Sequence, residues 1–377
     1  MSLWSWARFL AIVRKELIQL KRDRLTFAMM IGVPLLQLTL FGYAINNDPK
    51  HLPTAVVDAD RTEISRSLVA AVQNSGYFHV VWTGERLADA DRLIARGQVQ
   101  FLVHVPAGFT RALVRGEHPA LLVEADASDP AASSNAVAAV MQLPKTALRD
   151  DLTGPLAASA PATEAFELRV HRRYNPEGTS AYNIVPGLMG VILTMTMIMM
   201  TALAVTRETE RGTMENLLAT PVRPLEVMLG KILPYVAIGN VQVGVILLAA
   251  AFLFEVPMVG SLPLLLLLTQ AFILANLAVG ITISTTARNQ MQAMQMTLFF
   301  FLPSILLSGF MFPFRGMPVW AQTIGEVLPL THFLRVVRGI LLKGNGALDV
   351  WPHLWPLLVF IAAVLALGLT RFRRTLD

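Results

Sequence analysis

Six long apolar stretches without an ionisable side chain constrain this sequence more than any other feature. They cover residues 25–45, 183–206, 232–254, 262–286, 294–314 and 354–370. Roughly 17 to 25 residues of this kind cross the hydrocarbon core of a bilayer when they form a helix. We therefore predict a polytopic α-helical membrane protein with six transmembrane helices, numbered span 1 to span 6 in chain order.

The composition excludes several classes of protein. Hydrophobic residues make up 54% of the 377 residues and charged residues only 15%, whereas soluble proteins carry about 25% charged residues. Such a chain cannot cover a globular fold with polar surface. A soluble enzyme and a free nucleic-acid-binding protein are therefore excluded, and no nucleic-acid partner is expected. The sequence has no cysteine, which also excludes disulfides, thiolate catalysis and Cys-ligated metal sites.

Basic residues beside the spans predict the orientation of the chain, because Lys and Arg collect on the cytoplasmic flanks of membrane helices. They precede span 1, follow span 6, and occupy the connections from span 2 to span 3 and from span 4 to span 5. Both termini are therefore predicted to be cytoplasmic. Residues 1–24 form a basic amphipathic pattern, which we interpret as an interfacial helix in the inner headgroup layer. A helix packed on a partner is the alternative.

One basic segment departs from this charge rule. Residues 315–350, in the connection before span 6, should lie outside the cell, yet they contain four basic residues: Arg315, Arg335, Arg338 and Lys343. Within this segment Pro329 can open a helix and Gly344 can end it. We interpret the segment as an interfacial or re-entrant helix whose Arg groups reach the phosphates of outer lipids.

Residues 46–182 are predicted to form an α/β extracytoplasmic domain with its linker, inserted between spans 1 and 2. Strand-like runs alternate with helical patterns, which favours an α/β sandwich. The strands are expected at 54–58, 78–82, 101–105, 121–125 and 167–174, and the helices at 63–73, 87–96, 107–115 and 135–152. The histidines of this region show no metal-ligand spacing, and Asp58 with Asp60 indicates turn chemistry rather than a site.

Residues 207–224, on the cytoplasmic side of span 2, predict a short separate helix. Gly212 can end the helical extension of span 2, Thr213 can cap a new helix, and Pro221 prevents its continuation. Glu215 near the start of this helix suits the helix dipole. The apolar positions i, i+3 and i+4 share one face: Met214, Leu217 and Leu218. The segment could lie on the membrane surface or dock on another protein.

The spacing within this segment resembles the cytoplasmic signature of ABC-2 type permeases, the membrane subunits of one class of ATP-binding cassette transporters. The matching residues are Glu208, Glu210, Gly212, Thr213, Glu215, Leu217, Thr220 and Pro221. The resemblance covers essentially the whole chain. It is strongest to bacterial multidrug-type permeases with a large outer domain.

The resemblance implies a bacterial inner-membrane exporter subunit that is not itself an enzyme. Residues 207–221 would be its coupling helix, docking on a separate ATPase subunit that holds ATP and Mg. The implied coupling residues are Glu208, Glu210, Gly212, Thr213, Met214, Glu215, Leu217, Leu218, Thr220 and Pro221. The other implied partners are a second permease copy or paralogue, membrane lipids and an outer, periplasmic adaptor. No catalytic, metal-binding or cofactor-binding residue is expected in this chain.

The residues themselves also indicate that ATP is hydrolysed by a partner and not by this chain. No P-loop of the form Gly-x4-Gly-Lys-Ser/Thr occurs in the sequence, so energy from ATP must come through a partner. The spans lack the ionisable side chains with which ion-coupled transporters bind their coupling ion. An uncharged interior favours amphipathic or hydrophobic cargo such as a drug, a lipid or a lipid-linked compound. The Met-rich runs of spans 2 and 5 are interpreted as packing rather than as a soft-metal path.

A function of another class stays open. The chain could be a membrane-anchored receptor or assembly factor whose outer α/β domain binds a partner. Such a protein would have little use for five further spans and for the acidic segment at 207–224. The presence of an ATPase encoded beside it would separate the two hypotheses.

Overall fold

The computed structural model of the chain describes residues 49–148, 165–210 and 224–374. Span 1, the predicted interfacial helix at 1–24 and most of the segment 207–224 lie outside the described residues, so these interpretations stay predictions. The described chain has two parts. The first is an α/β domain made by residues 49–148 and 165–173, and the second is a helical part that follows it.

Within the described residues, the α/β domain holds one mixed sheet of five strands in the order β2-β1-β3-β4-β5. The strands are β1 (Leu52–Asp58), β2 (Phe78–Gly84), β3 (Phe101–Val105), β4 (Ala120–Asp126) and β5 (Glu167–Arg173). β1 is parallel to β2 and β3, whereas β4 is antiparallel to β3 and parallel to β5. These strands agree closely with those expected from the sequence.

Helices cover both faces of this sheet. They are α1 (Glu63–Asn74), α2 (Leu87–Ala95), α3 (Phe109–Val114), α4 (Pro130–Val140) and the short α5 (Leu143–Thr146). Successive residues of a strand point to opposite faces. Val56 therefore joins the core beneath α1 and α3, while Ala55 and Val57 join the core beneath α2. The domain is thus a three-layer α/β sandwich.

The single helix predicted at 135–152 was wrong in its bounds. The helix begins earlier, at Pro130, and ends at Val140, and α5 follows after a turn. Pro144 explains the break, because a proline has no N–H to donate to the carbonyl of residue 140, four positions earlier. Residues 149–152 lie outside the described ranges.

Asp58 and Asp60 serve turn chemistry. Asp58 Oδ1 accepts hydrogen bonds from the backbone N–H groups of Asp60 and Arg61, both at 3.0 Å. Asp60 Oδ2 accepts from the backbone and the hydroxyl of Thr110 at 3.1 and 2.5 Å. Burial acts to raise the pKa of Asp60, but these hydrogen bonds outweigh it and hold the pKa below its usual value. The pair therefore fixes the loops that precede α1 and α3.

The helical part contains seven further α-helices among the residues that the structure describes. They are α6 (Ser180–Glu210), α7 (Pro224–Phe252), α8 (Leu262–Ser284), α9 (Gln290–Leu307), α10 (Val319–Val327), α11 (Pro329–Lys343) and α12 (Ala347–Arg374). Five of those described, α6, α7, α8, α9 and α12, are long and apolar enough to cross a membrane. They correspond to the predicted spans 2 to 6.

Two of the predicted span bounds were wrong. Span 5 was expected to reach residue 314, but α9 ends at Leu307 and the chain turns at Gly309, whose φ of 86° favours glycine. Span 6 was expected from residue 354, but α12 begins at Ala347. The polar Asp349 and His353 of its first turns interrupted the apolar pattern without interrupting the helix.

The helix α8 is the centre of the helical part. It packs against α6, α11 and α12, and its central residues are almost fully buried. Uncharged amides join it to α7, where Asn240 and Gln270 exchange hydrogen bonds of 3.1 and 2.6 Å. This pair supports the interpretation of such residues as links between helices. By contrast, α7 and α12 are buried over only 17% and 11% of their apolar windows.

Candidate functional site

The C-terminal end of α6 is tied to the N-terminal end of α9. The Glu210 carboxylate accepts hydrogen bonds from the backbone N–H of Gln290 at 2.7 Å and from Gln290 Nε2 at 2.5 Å. Arg207 Nε donates to Gln290 Oε1 at 3.3 Å. Gln290 is the first residue of α9, and the first N–H groups of a helix have no acceptor within the helix. A carboxylate there also suits the helix dipole. We call Arg207, Glu210 and Gln290 the α6–α9 junction.

Of the ten predicted coupling residues, Glu208 and Glu210 lie in the described chain, at the end of α6. The other eight, Gly212, Thr213, Met214, Glu215, Leu217, Leu218, Thr220 and Pro221, lie outside the described residues. Contact of the ten with an ATPase therefore stays a prediction. The structure adds a role for Glu210 within the chain that the sequence reasoning missed. Asn289, whose side chain caps α9 by accepting from the N–H of Gln292 at 2.8 Å, was the signal that could have located this helix start.

Glu210→Ala is expected to weaken the α6–α9 junction without abolishing folding. The junction is exposed, so the loss of its hydrogen bonds should cost about 1 kcal/mol of unfolding free energy. The measurement is the thermal unfolding midpoint of the purified chain in detergent. Glu177→Ala, in the exposed connection between β5 and α6, is the matched control. Equal midpoints for the two variants would contradict a structural role of the junction.

A cavity of about 500 Å³ lies between the α/β domain and the helical part. Its wall combines the loops before β3 and after β4 with the turn after α9, with α10 and α11, and with the start of α12. The sheet topology explains this meeting. Because β4 and β5 run against β1 and β3, the starts of β1 and β3 and the ends of β4 and β5 lie at one edge of the sheet. That edge faces α11, and the cavity lies beneath it.

Two ion pairs and two hydrogen bonds to backbone carbonyls join this edge of the sheet to the helices. Lys343 at the end of α11 pairs with Asp126 at the end of β4, and each side chain is only 8% exposed. Arg96 Nε donates to Asp349 Oδ1 at 2.9 Å, between α2 and α12. Arg315 Nη2 donates to the carbonyl of Gly97 at 2.9 Å, and Asn345 Nδ2 donates to that of Ala95 at 3.3 Å. The α/β domain is therefore docked on the helices and not merely tethered to them.

Two arginines of α11 face the cavity and differ in their surroundings. Arg335 donates to both carboxylate oxygens of Glu326 at 2.9 and 2.6 Å, and its guanidinium lies over the Phe314 ring. Arg338 Nη1 donates to the carbonyl of Gly309 at 3.3 Å, while its Nε and Nη2 are buried without a partner. Burial lowers the pKa of Arg338, against the opposing effect of the Asp129 and Asp126 charges, but an arginine stays protonated in proteins.

The basic segment before span 6 thus has a structural account. The helix expected from Pro329 to Gly344 is present as α11, and Gly344 ends it in the left-handed conformation with a φ of 72°. Its Arg groups line the cavity, together with Arg315 and Lys343. The sequence reasoning identified these basic residues as a departure from the charge rule. It missed the partners of Arg315 and Lys343 because those partners lie in the α/β domain, 218 and 217 residues away along the chain.

Known proteins resemble this chain along its whole length. The family model described as ABC-2 family transporter protein matches residues 24–370. The Escherichia coli K12 protein YbhS, a probable multidrug ABC transporter permease, is 30% identical over 386 residues, which cover 99% of this chain and 98% of YbhS. YbhR of the same organism, of the same description, is 30% identical over 97% of this chain and 98% of its own length. LnrN of Bacillus subtilis 168, a linearmycin resistance permease protein, is 23% identical over 97% of this chain and 99% of LnrN.

Proposed function

The chain belongs to the ABC-2 transporter family, and from this membership we propose that it is the permease subunit of an ATP-driven exporter. It is a multi-pass transport permease of the bacterial inner membrane type, with several apolar helices. Under the proposal, a separate ATPase subunit hydrolyses ATP with Mg, and this chain supplies the path for the cargo. The α/β domain would lie outside the cytoplasm and both termini inside it.

The α6–α9 junction is the observation that carries the coupling mechanism. Helix α6 has 31 residues, about 46 Å of helix, and leads from the α/β domain to the segment 207–224. A displacement of that segment by an ATPase would move the end of α6. Because Glu210 binds the start of α9, the same displacement would move α9 as well. Two spans would then respond together to one event on the cytoplasmic side.

A second permease copy or a paralogue is proposed to complete the path. The two least buried candidate spans, α7 and α12, present large apolar side chains such as Val241, Leu248 and Val359 to their surroundings. Lipid and a second permease copy are the two apolar surroundings that such helices accept. An amphipathic or hydrophobic cargo suits a path between such surfaces. YbhS and LnrN are named for multidrug transport and for resistance to linearmycin, which favours export.

Charge reversal in the predicted coupling helix tests this function. Glu215→Lys is expected to lower both ATPase binding and ATP-dependent efflux at least tenfold, because the acidic start of the helix would no longer suit a docking groove. The chain and its ATPase are reconstituted in proteoliposomes, and co-purification, cargo-stimulated hydrolysis and efflux of an amphipathic dye are measured. Glu255→Lys, in the exposed connection between α7 and α8, is the matched control. Unchanged values of all three quantities for Glu215→Lys would remove the coupling assignment.

The anchor hypothesis predicts a different result in the same assay. A membrane-anchored receptor or assembly factor would co-purify no ATPase and would give no ATP-dependent efflux with either variant. The docked α/β domain and the long family match along both parts of the chain favour the permease. Under the permease hypothesis, ATP and Mg would be bound only by the separate ATPase subunit.

A further inference from the structure

Arg338 has two N–H donors that the described chain leaves unused. Its Nε and Nη2 atoms are buried without a hydrogen-bond partner, and the bond from Nη1 to the Gly309 carbonyl is long at 3.3 Å. Buried donors in native proteins are almost always paired, so an unpaired one requires an explanation. The requirement is stronger here because the group is charged.

The carboxylates around the cavity do not supply the missing acceptor. Asp126 is paired with Lys343, and Glu326 with Arg335. Asp129 accepts from Asn183 Nδ2 at 3.4 Å, and among the described residues none accepts a hydrogen bond from Nε or Nη2 of Arg338. The cavity wall carries five cationic side chains and three acidic ones, and Asp349, which is not part of the wall, pairs with one of the five, Arg96. One positive charge in excess therefore lines a cavity that is partly open to solvent.

The rest of the wall is part polar and part apolar. Its uncharged polar residues include Gln98, Gln100, Ser128, Gln322 and Asn345. Its apolar part is formed by Phe314, Leu334, Val350 and Pro352, together with Leu348 at the start of α12, which is 85% exposed. Because Leu348 both lines the cavity and is exposed to solvent, we call the surface around it the mouth of the cavity. A ligand that fits both features has an anionic end for the guanidinium and an apolar end for the mouth.

We propose that this cavity binds the oxyanion head group of an amphipathic molecule, a phosphate or a group of the same geometry, and that Arg338 is its principal contact. Nε and Nη2 lie on the same edge of the guanidinium, so their N–H groups point in nearly parallel directions. That edge matches two oxygens of one phosphate, sulfate or carboxylate group. Arg335, held in place by Glu326 and Phe314, adds a second positive charge at the wall.

Such a head group could belong to a membrane lipid or arrive free from solution. Two probes distinguish these sources: dihexanoyl phosphatidic acid, which carries a phosphate on short apolar chains, and inorganic phosphate. Dihexanoyl phosphatidylcholine, with the same chains and no net charge, is the control ligand. Binding is measured by titration calorimetry on the full chain in a neutral detergent. The proposal is independent of ATPase coupling, since no ATPase is present.

The expected result is saturable binding of dihexanoyl phosphatidic acid and at least a tenfold higher Kd for Arg338→Met, since a charge-assisted bidentate contact is lost. Arg115→Met removes one positive charge from an exposed site on the α/β domain and should leave the Kd unchanged. Binding of inorganic phosphate as well shows that the head group suffices. Binding of the lipid alone shows that the apolar mouth is also needed. Either outcome supports the oxyanion site.

Two outcomes would overturn the proposal. The first is the absence of phosphatidic acid binding by the unchanged chain, or equal binding of phosphatidic acid and phosphatidylcholine. The second is an unchanged Kd in Arg338→Met. The unfolding midpoint of the ligand-free chain distinguishes a residue that only contacts ligand from one that stabilises the fold. Arg338→Met removes an unpaired buried charge, so the unfolding midpoint of the ligand-free chain should hold or rise, and a large fall would show that Arg338 serves the fold instead.

Discussion

Gly280→Val is expected to prevent α6 and α8 from packing and so to abolish the folded state of the helical part. A Cβ atom at position 280 would lie 2.7 Å from the carbonyl oxygen of Ile198 and 2.9 Å from Thr201 Cβ, both in α6. A backbone carbonyl cannot move aside as the end of a flexible side chain can. The two helices would therefore have to separate along their contact.

The loss of stability should increase with the size of the side chain at position 280. Gly280→Ala adds only the Cβ atom and should cost about 3 kcal/mol of unfolding free energy, the upper range for overpacking. Gly280→Val adds two further carbons and should exceed that, leaving little protein that elutes as a single species in detergent. The measurements are the thermal unfolding midpoint and the yield of monodisperse protein.

Gly244→Ala is the matched control, because a Cβ there would meet no atom within 4 Å. It lies in α7, and alanine is the better helix former by about 1 kcal/mol, so this variant should be neutral or slightly stabilising. Equal losses at positions 244 and 280 would show that glycine is needed in these helices for a reason other than the α6–α8 contact.

Lys343→Met is expected to release the α/β domain from the helices at a cost of about 3 to 5 kcal/mol, because it leaves the Asp126 carboxylate buried and unpaired. The two side chains are each 8% exposed, so water cannot replace the lost partner. Lys343 also lies 5.2 Å from the centre of the Tyr174 ring, a contact that methionine keeps only in part. The unfolding midpoint and the rate of limited proteolysis between the two parts are the measurements.

A double variant separates the contribution of the ion pair to stability from the contributions of its two side chains. Asp126→Asn keeps the acceptor that binds the backbone N–H of Ser128 at 3.1 Å, yet it removes the charge. Lys343→Met with Asp126→Asn should therefore recover most of the stability that Lys343→Met alone loses. Arg115→Met, in an exposed pair with Glu117, should change stability by about 1 kcal/mol or less. A double variant no more stable than Lys343→Met would contradict the account of a buried pair.

Elements defined by a repeating pattern could be predicted from the sequence. Strands β1 to β5 alternate or lie in short apolar runs, and spans 2 to 6 are long uncharged runs, so the sequence pattern locates both parts. Bounds set by single residues were less predictable. Hydropathy could not show that the chain turns at Gly309 within an apolar run, or that the first helical turns at Asp349 belong to α12.

The two candidate sites also differ in how well the sequence predicts them. The segment 207–224 has local spacing, so its resemblance to a family signature could be identified from the sequence. The cavity depends on residues far apart in the chain: Arg315 bonds to Gly97, and Lys343 pairs with Asp126. The antiparallel pairing of β3 with β4 places Gly97, before β3, and Asp126, at the end of β4, at the same edge of the sheet. Sequence alone showed an excess of basic residues where the charge rule does not expect them. It showed neither the acceptors that these residues bind nor the two N–H groups of Arg338 that are left without one.

The edge of the sheet at which β1 starts and β5 ends also predicts where homologous sequences can differ in length. The chain enters the α/β domain at the start of β1 and leaves it at the end of β5, and in the order β1-β3-β4-β5 these points are three strand spacings apart, or about 14 Å. Growth or shrinkage of the domain at its far side would leave that gap unchanged. Insertions and deletions there should therefore accumulate between homologues without shifting the described helices that follow the domain, whereas the edge that contacts these helices should tolerate few.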